Sequence, residues 1–145
     1  MRNTVGQARA GKGRKGRSGI VTLISDFGLS GEHAGAMKGA ILSVNPRCQV
    51  VDITHQIAAQ DVLQASFVLN HTYPYFPAGT VHLVVVDPGV GTRRKPVALE
   101  KYEHYFVGPD NGVFSLILGD GKNEGYEITR EKLFLSPLSA TFNGR

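Results

Sequence analysis

Residues 80–94 read TVHLVVVDPGVGTRR. The run TVHLVVVD has the near-continuous, β-branched apolar character of a strand covered on both faces. It ends on Asp87, turns through Pro88-Gly89-Val90-Gly91 and lands on Arg93 and Arg94. Two similar runs lie upstream, GIVTLIS (19–25) and CQVVDIT (48–54), and both read as buried strands. Between them, HAGAMKGAILSVNP is helical: Ala34, Met37, Ile41 and Val44 recur near helical spacing, and Asn45-Pro46 ends the pattern. DVLQASFVLNHTYPYF begins with Asp61, suited to N-capping, and places Val62, Ala65 and Leu69 on one face. The resulting order is β-α-β-α-β, with connections long enough for parallel crossovers. It predicts an α/β fold: a Rossmann-like, mostly parallel sheet with helices on both faces.

Further along, PVALEKYEHYFVG (96–108) reads as two strands joined by a tight polar turn. PDNGVFSLIL opens with a turn signal and leads into a helix, and GYEITR is a further strand. No internal repeat or linker interrupts residues 19–145.

A chain of 145 residues is one domain's worth, and 41% hydrophobic with 19% charged residues fits a soluble globular protein. No apolar run approaches the roughly 20 residues that span a bilayer, and none follows the basic start as a secretory signal would. The single cysteine, Cys48, excludes an internal disulfide and suits the cytoplasm. It reads as a buried strand-edge residue rather than a nucleophile.

The net charge of +4 describes a tail. Six of the sixteen basic residues (Arg2, Arg9, Lys12, Arg14, Lys15, Arg17) precede residue 19, where there is no acid; the body has ten basic residues against twelve acidic. Residues 1–18 carry almost no large apolar side chains and are expected to be disordered. A basic arm without a folded basic face is a weak basis for nucleic-acid binding, so no nucleic-acid partner is expected.

The polar residues gather at strand ends: Ser25-Asp26, Thr54-His55, Asp87 and Asp110-Asn111. In an open parallel sheet, ligands bind outside the carboxyl ends of the strands, so these residues should share one rim. Several chemistries drop out. The DFG triplet (26–28) lacks a kinase's Gly-rich loop and strand lysine. There is neither a P-loop nor a dinucleotide fingerprint, and no paired Cys/His spacing suggests zinc. No metal or cofactor is expected. Glycines 89 and 91 allow a tight, positive-φ path on which Asp87 can meet an arginine seven residues on. Such a pair can position a water, hold a polar ligand, or be an ordinary loop salt bridge.

The stretches LISDFG, AMKGAIL, VVDITHQI, YPYFPAGTVHLVVVDPGVGTRR, FVGPDNGVFS and ATFNGR, in this order, resemble the S-adenosyl-L-methionine hydroxide adenosyltransferases. That family is related to the S-adenosylmethionine-dependent chlorinases and fluorinases. The resemblance covers residues 20–145. It implies hydrolysis of S-adenosylmethionine to adenosine and L-methionine by water or hydroxide, without a metal. Asp87 and Arg94 match the family's catalytic Asp and Arg, which orient the water together with a His. Asp26 matches the residue that bonds the ribose hydroxyls, and Phe27, Asp110, Asn111 and Phe142 fall in motifs placed at the substrate. Where the family's histidine stands in TFHGRD, this chain has Thr141-Phe142-Asn143-Gly144-Arg145; Asn143 can hydrogen-bond a water but cannot take its proton. Gly31 and His33 replace the Asp and Tyr that often follow DFG.

The family chain continues into a β-rich domain, often across a homotrimer interface, so the sequence reads as an N-terminal domain apparently truncated at its C-terminus. Two other functions remain open: a catalytically inactive fragment that binds S-adenosylmethionine or adenosine or only folds and oligomerises, and a halogenase. The halogenases typically lack the Asp–Arg pair of this loop, which favours hydroxide as nucleophile.

Overall fold

In the computed structural model, the described residues are 16–120, 123, 125–130, 132 and 134. Six strands form one sheet: β1 (Ile20–Ser25), β2 (Gln49–Thr54), β3 (Val81–Val85), β4 (Pro96–Lys101), β5 (His104–Pro109) and β6 (Gly125–Glu127). Three helices accompany them: α1 (His33–Val44), α2 (Val62–Thr72) and the single turn α3 (Ser115–Leu118). The strand order is β2-β1-β3-β5-β4-β6. Strand β1 runs parallel to both β2 and β3, and β3 runs parallel to β5. The hairpin partner β4 is antiparallel to β5 and to β6, so the sheet is mixed only towards one edge.

The helices cover both faces, as the β-α-β-α-β pattern requires. On one face, Met37 of α1 packs with Leu23, flanked by Val21, Ile41, Val50, Leu83 and Val85. On the other, Ala65 and Leu69 of α2 and Ile117 of α3 close over Ile24, Val84, Val86 and Phe106. Strict alternation along β3 sends His82 and Val84 to the α2 face, where both are fully buried. Asp61 caps α2 as its position suggests, its carboxylate accepting the Gln64 N–H at 2.8 Å. Ser18 is already tied to the fold, through its N–H to the Gly79 carbonyl at 3.3 Å and its hydroxyl to that of Thr80.

The sequence CQVVDIT predicts a strand covered on both faces, but β2 lies at the edge of the sheet with exposed and half-buried residues, and Cys48, expected to be buried, is half-buried just ahead of it. Its apolar character is the same as that of β1; only the strand order decides which of the two is flanked on both sides. Strand β2 also carries an irregularity: Leu23 pairs with Asp52, but Ile24 pairs with Thr54, leaving Ile53 as an extra residue. No helix among the described residues is long and apolar enough to cross a membrane.

Candidate functional site

Strand order reverses at β1: the chain steps outward to β2, then returns to place β3 on the other side. The crevice between the carboxyl ends of β1 and β3 is the topological switch point, where open α/β sheets bind ligands. Ser25 pairs with Val85. Asp26 and Asp87 therefore emerge just past neighbouring strand ends, on either side of that crevice.

The loop after β3 is built to hold one ion pair. Asp87 Oδ2 meets the Arg94 guanidinium through Nη2, and the two side chains are only 8% and 15% exposed. Asp87 Oδ1 accepts the Gly89 N–H at 3.2 Å, and the Asp87 carbonyl accepts the Val90 N–H. Thr92 closes the far side of the turn, its hydroxyl donating to the Gly89 carbonyl at 2.6 Å. The two glycines do different work. Gly91 takes the positive φ of 78° that turns the chain back. Gly89 has an ordinary φ; what matters there is room, because a Cβ would lie 3.1 Å from Arg94 Cγ and 3.3 Å from Thr92 Oγ1. Arg94 Nε is buried and has no hydrogen-bond partner among the described residues.

Asn111 supports the strand that delivers Asp87. Its Nδ2 donates to the Val86 carbonyl at 2.9 Å while its Oδ1 accepts the Val113 N–H. Asp110 is exposed and faces the Lys95 ammonium, whose pKa is raised, first by its hydrogen bond and ion pair with Glu127 and then by Asp110. Asp110 lies on the wall of a cleft of about 410 Å³ with Val97, Leu99, Phe114 and Leu118. This cleft sits over β4–β6, to one side of the Asp87–Arg94 pair. The ring of Phe27 packs with the Leu23–Met37 cluster and lies 5.5 Å from the His33 ring. Phe142 and Asn143 lie outside the described residues.

Asp26 is held by a residue with no sequence signal. Its Oδ2 accepts the Gln60 N–H at 2.8 Å, and Gln60 reaches it by adopting a positive φ of 64°. Thr54 and His55, expected to present a hydroxyl and an imidazole to the rim, are used otherwise: Thr54 in a local turn and His55 inward. Thr54 Oγ1 accepts the Gln56 N–H, and His55 is 4% exposed with its Nδ1 2.7 Å from Ser25 Oγ. Among the described residues, no group of three or more metal-ligating side chains occurs. The arrangement can therefore do two things: hold hydroxyls at Asp26, and orient a small polar species between Asp87 and Arg94.

Comparisons with known proteins bear on this geometry. Residues 21–145 match the family model described as the SAM hydroxide adenosyltransferase N-terminal domain. An (R)-S-adenosyl-L-methionine hydrolase of Methanocaldococcus jannaschii is 39% identical over 132 residues, which is 87% of this chain and 49% of that protein. The protein of the same name from Thermus thermophilus is 40% identical over 86% of this chain and 52% of its own length. A fluorinase of Nocardia brasiliensis is more distant, at 27% identity over 90% of this chain and 51% of its own. The crystal structure of an uncharacterized conserved protein from Thermotoga maritima superposes with a TM-score of 0.81 at 40% identity, covering 87% of this chain and 49% of that one. The chain thus spans about half the length of the curated relatives it matches. With its sheet, its switch-point crevice and a family match running from β1 to Arg145, the chain belongs to the SAM hydroxide adenosyltransferase family.

Proposed function

We propose that this chain provides the strand-end half of a site that hydrolyses S-adenosyl-L-methionine to adenosine and L-methionine. The observation that carries the proposal is the Asp87–Arg94 pair, shielded from solvent and placed at the switch point beside Asp26. The reaction forms a bond between a water oxygen and the ribose C5′ and breaks the C5′–sulfur bond. The sulfonium takes the bonding electrons and leaves as the neutral thioether of methionine, and one proton is released. That leaving group needs no general acid, so the barrier is one of positioning, desolvation and nucleophile orientation. Asp87 accepts a hydrogen bond from the water and receives its proton on the way to solvent. Arg94 fixes the carboxylate, and its buried Nε supplies a further donor at the site. Asp26 has one oxygen committed to Gln60, leaving the other for a ribose hydroxyl. No metal or cofactor enters this scheme. The substrate is a small molecule, and a homotrimeric, cytoplasmic setting belongs to the same proposal through the family resemblance.

The test is product analysis of the chain incubated with S-adenosylmethionine, with Asp87→Ala as the control. Adenosine and methionine in equal amounts from the wild type alone are the expected result. A chlorinated nucleoside formed in chloride-rich buffer would move the chain to the halogenase side of the family. The second reading, binding without turnover, draws on Asn143 standing where the family's histidine is. Calorimetric binding of S-adenosylmethionine with no adenosine released is the result that would favour it.

A further inference from the structure

Residues 55–60 do more than connect β2 to α2. Strand β2 has its extra residue at Ile53, and that bulge matters for side-chain direction. In a regular strand, residues three apart point to opposite faces. The bulge puts Asp52 and His55 on the same face, the one covered by α1, together with Ser25. A chain of polar contacts results. Lys38 of α1 donates to Asp52 Oδ2 at 2.5 Å, Asp52 Oδ1 lies 3.1 Å from His55 Nε2, and His55 Nδ1 lies 2.7 Å from Ser25 Oγ. The approach to Nε2 is an ion-pair contact out of line for a good hydrogen bond. Burial pulls the Asp52 pKa up, but the Lys38 and His55 contacts outweigh it and hold it below the usual value. In the tautomer that carries its proton on Nε2, facing the Asp52 carboxylate, Nδ1 is free to accept the Ser25 hydroxyl. Ser25 Oγ in turn accepts the Phe27 N–H at 3.4 Å.

The same segment grips the following residues through its backbone. The His55 carbonyl accepts the Gly28 N–H at 2.7 Å, the Ile57 N–H donates to the Ser25 carbonyl, and the Gln60 N–H holds the Asp26 carboxylate. Ser25 and His55 are buried at 0% and 4% exposure, so neither is placed to meet a substrate. Their contacts with Phe27, Gly28 and Ile57 tie the end of β1 to the segment that holds Asp26.

We propose that His55 is a positioning residue for Asp26: the bulged end of β2 and the segment that follows clamp residues 25–28, so that the Asp26 carboxylate is presented to the sugar in one orientation. The proposal rests on the hydrolase reading for the identity of the sugar, but the clamp itself can be tested without it. The ribose hydroxyls that Asp26 would hold take no part in the bond change and are bonded alike in the bound substrate and the transition state, so loss of the clamp is read in KM and not in kcat. His55→Ala is therefore expected to raise KM for S-adenosylmethionine about tenfold, the loss of roughly one buried hydrogen bond, with kcat within about twofold of wild type. The two amide variants separate the ring nitrogens. His55→Asn keeps a polar atom where Nδ1 meets Ser25 and should recover most of the loss; His55→Gln reaches towards Asp52 instead and should not.

An unchanged KM in folded His55→Ala, or a fall in kcat alone, overturns the proposal. If the alanine variant does not fold, the amide pair decides: recovery by Gln and not by Asn also overturns it. If the wild type turns over no S-adenosylmethionine, the hydrolase reading fails. The clamp is then read by hydrogen exchange at the Gly28 and Gln60 amides. Selective loss of their protection in His55→Ala or His55→Gln, restored in His55→Asn, supports it, and equal protection in all of them refutes it.

Discussion

At Asp87 and Arg94, two charges are paired where water reaches them poorly, and the loop supplies only a few other bonds. Removing one member strands the other. Asp87→Asn keeps the shape and the Gly89 contact but leaves the Arg94 guanidinium without its counter-charge, so it is expected to cost about 1–3 kcal/mol of stability. Urea unfolding should show a lower midpoint with an unchanged slope, and adenosine production should fall at least a hundredfold. Arg94→Lys is the sharper probe of geometry. An ammonium retains the charge but not the planar fork or the buried Nε donor, so it should recover stability better than activity. Equal recovery of both would reduce Arg94 to a charge partner. Gly89→Ala tests the room argument: its Cβ would press on Arg94 Cγ and Thr92 Oγ1, so activity should fall although no polar group is lost.

Among the strands, the α2 face of the sheet carries a buried polar line. Thr22 Oγ1 lies 2.7 Å from His82 Nδ1, and His82 Nε2 lies 3.1 Å from His104 Nδ1, with Tyr73, Phe76 and Phe106 packed around the rings. Burial, with His104 alongside, lowers the His82 pKa to about 4, and burial lowers that of His104 in the same direction. The folded state therefore binds fewer protons than the unfolded chain. Stability from this pair is present above the ordinary histidine range near 6.5 and declines as pH falls towards about 4. For His82 the loss is on the order of 3 kcal/mol at most. Denaturation across that window should show stability rising with pH, and His82→Gln should flatten the slope; a flat wild-type profile would contradict the assignment.

The elements also show what a sequence discloses and what it hides. Strands β1 and β3, helices α1 and α2, and the β4–β5 hairpin were legible because periodicity and caps are local. The exposure of β2 was not, since it depends on strand order. Nor was the hairpin turn fully legible: Tyr102 and Glu103 both take positive φ without a glycine to announce it. That Asp87 could meet an arginine was legible because a short glycine loop joins them, but a role for Asp87 and Arg94 beyond a loop salt bridge came from the family resemblance. His55 and Gln60 could not be assigned their parts, because a bulge and a left-handed residue decide where their polar atoms point.

For the molecule as a whole, the question is what its outer surfaces meet. Leu63 and Phe67, one helical turn apart on α2, are 64% and 48% exposed, and Leu116 of the neighbouring α3 is 41% exposed. Elsewhere, Val51 of the edge strand β2 is 37% exposed and Val44 at the end of α1 is 79% exposed. Apolar side chains grouped in this way mark contact surfaces more often than free ones, and an open strand edge is a template for pairing. The chain is therefore expected to self-associate, with light scattering after gel filtration giving a mass above 15.6 kDa that rises with concentration. Substitution tells the surfaces apart. If the α2 stripe drives association, Leu63→Ser with Phe67→Ser should return the mass to that of one chain and leave the core intact. If the β2 edge drives it, those changes should do little, whereas Val44→Ser with Val51→Lys should dissolve the assembly. The helix stripe is the stronger expectation, because Leu63 and Phe67 share one face of α2, which packs beside α3, while the Lys38–Asp52 ion pair puts charge on the edge strand. A monomer at every concentration would mean that neither surface is sticky enough to matter.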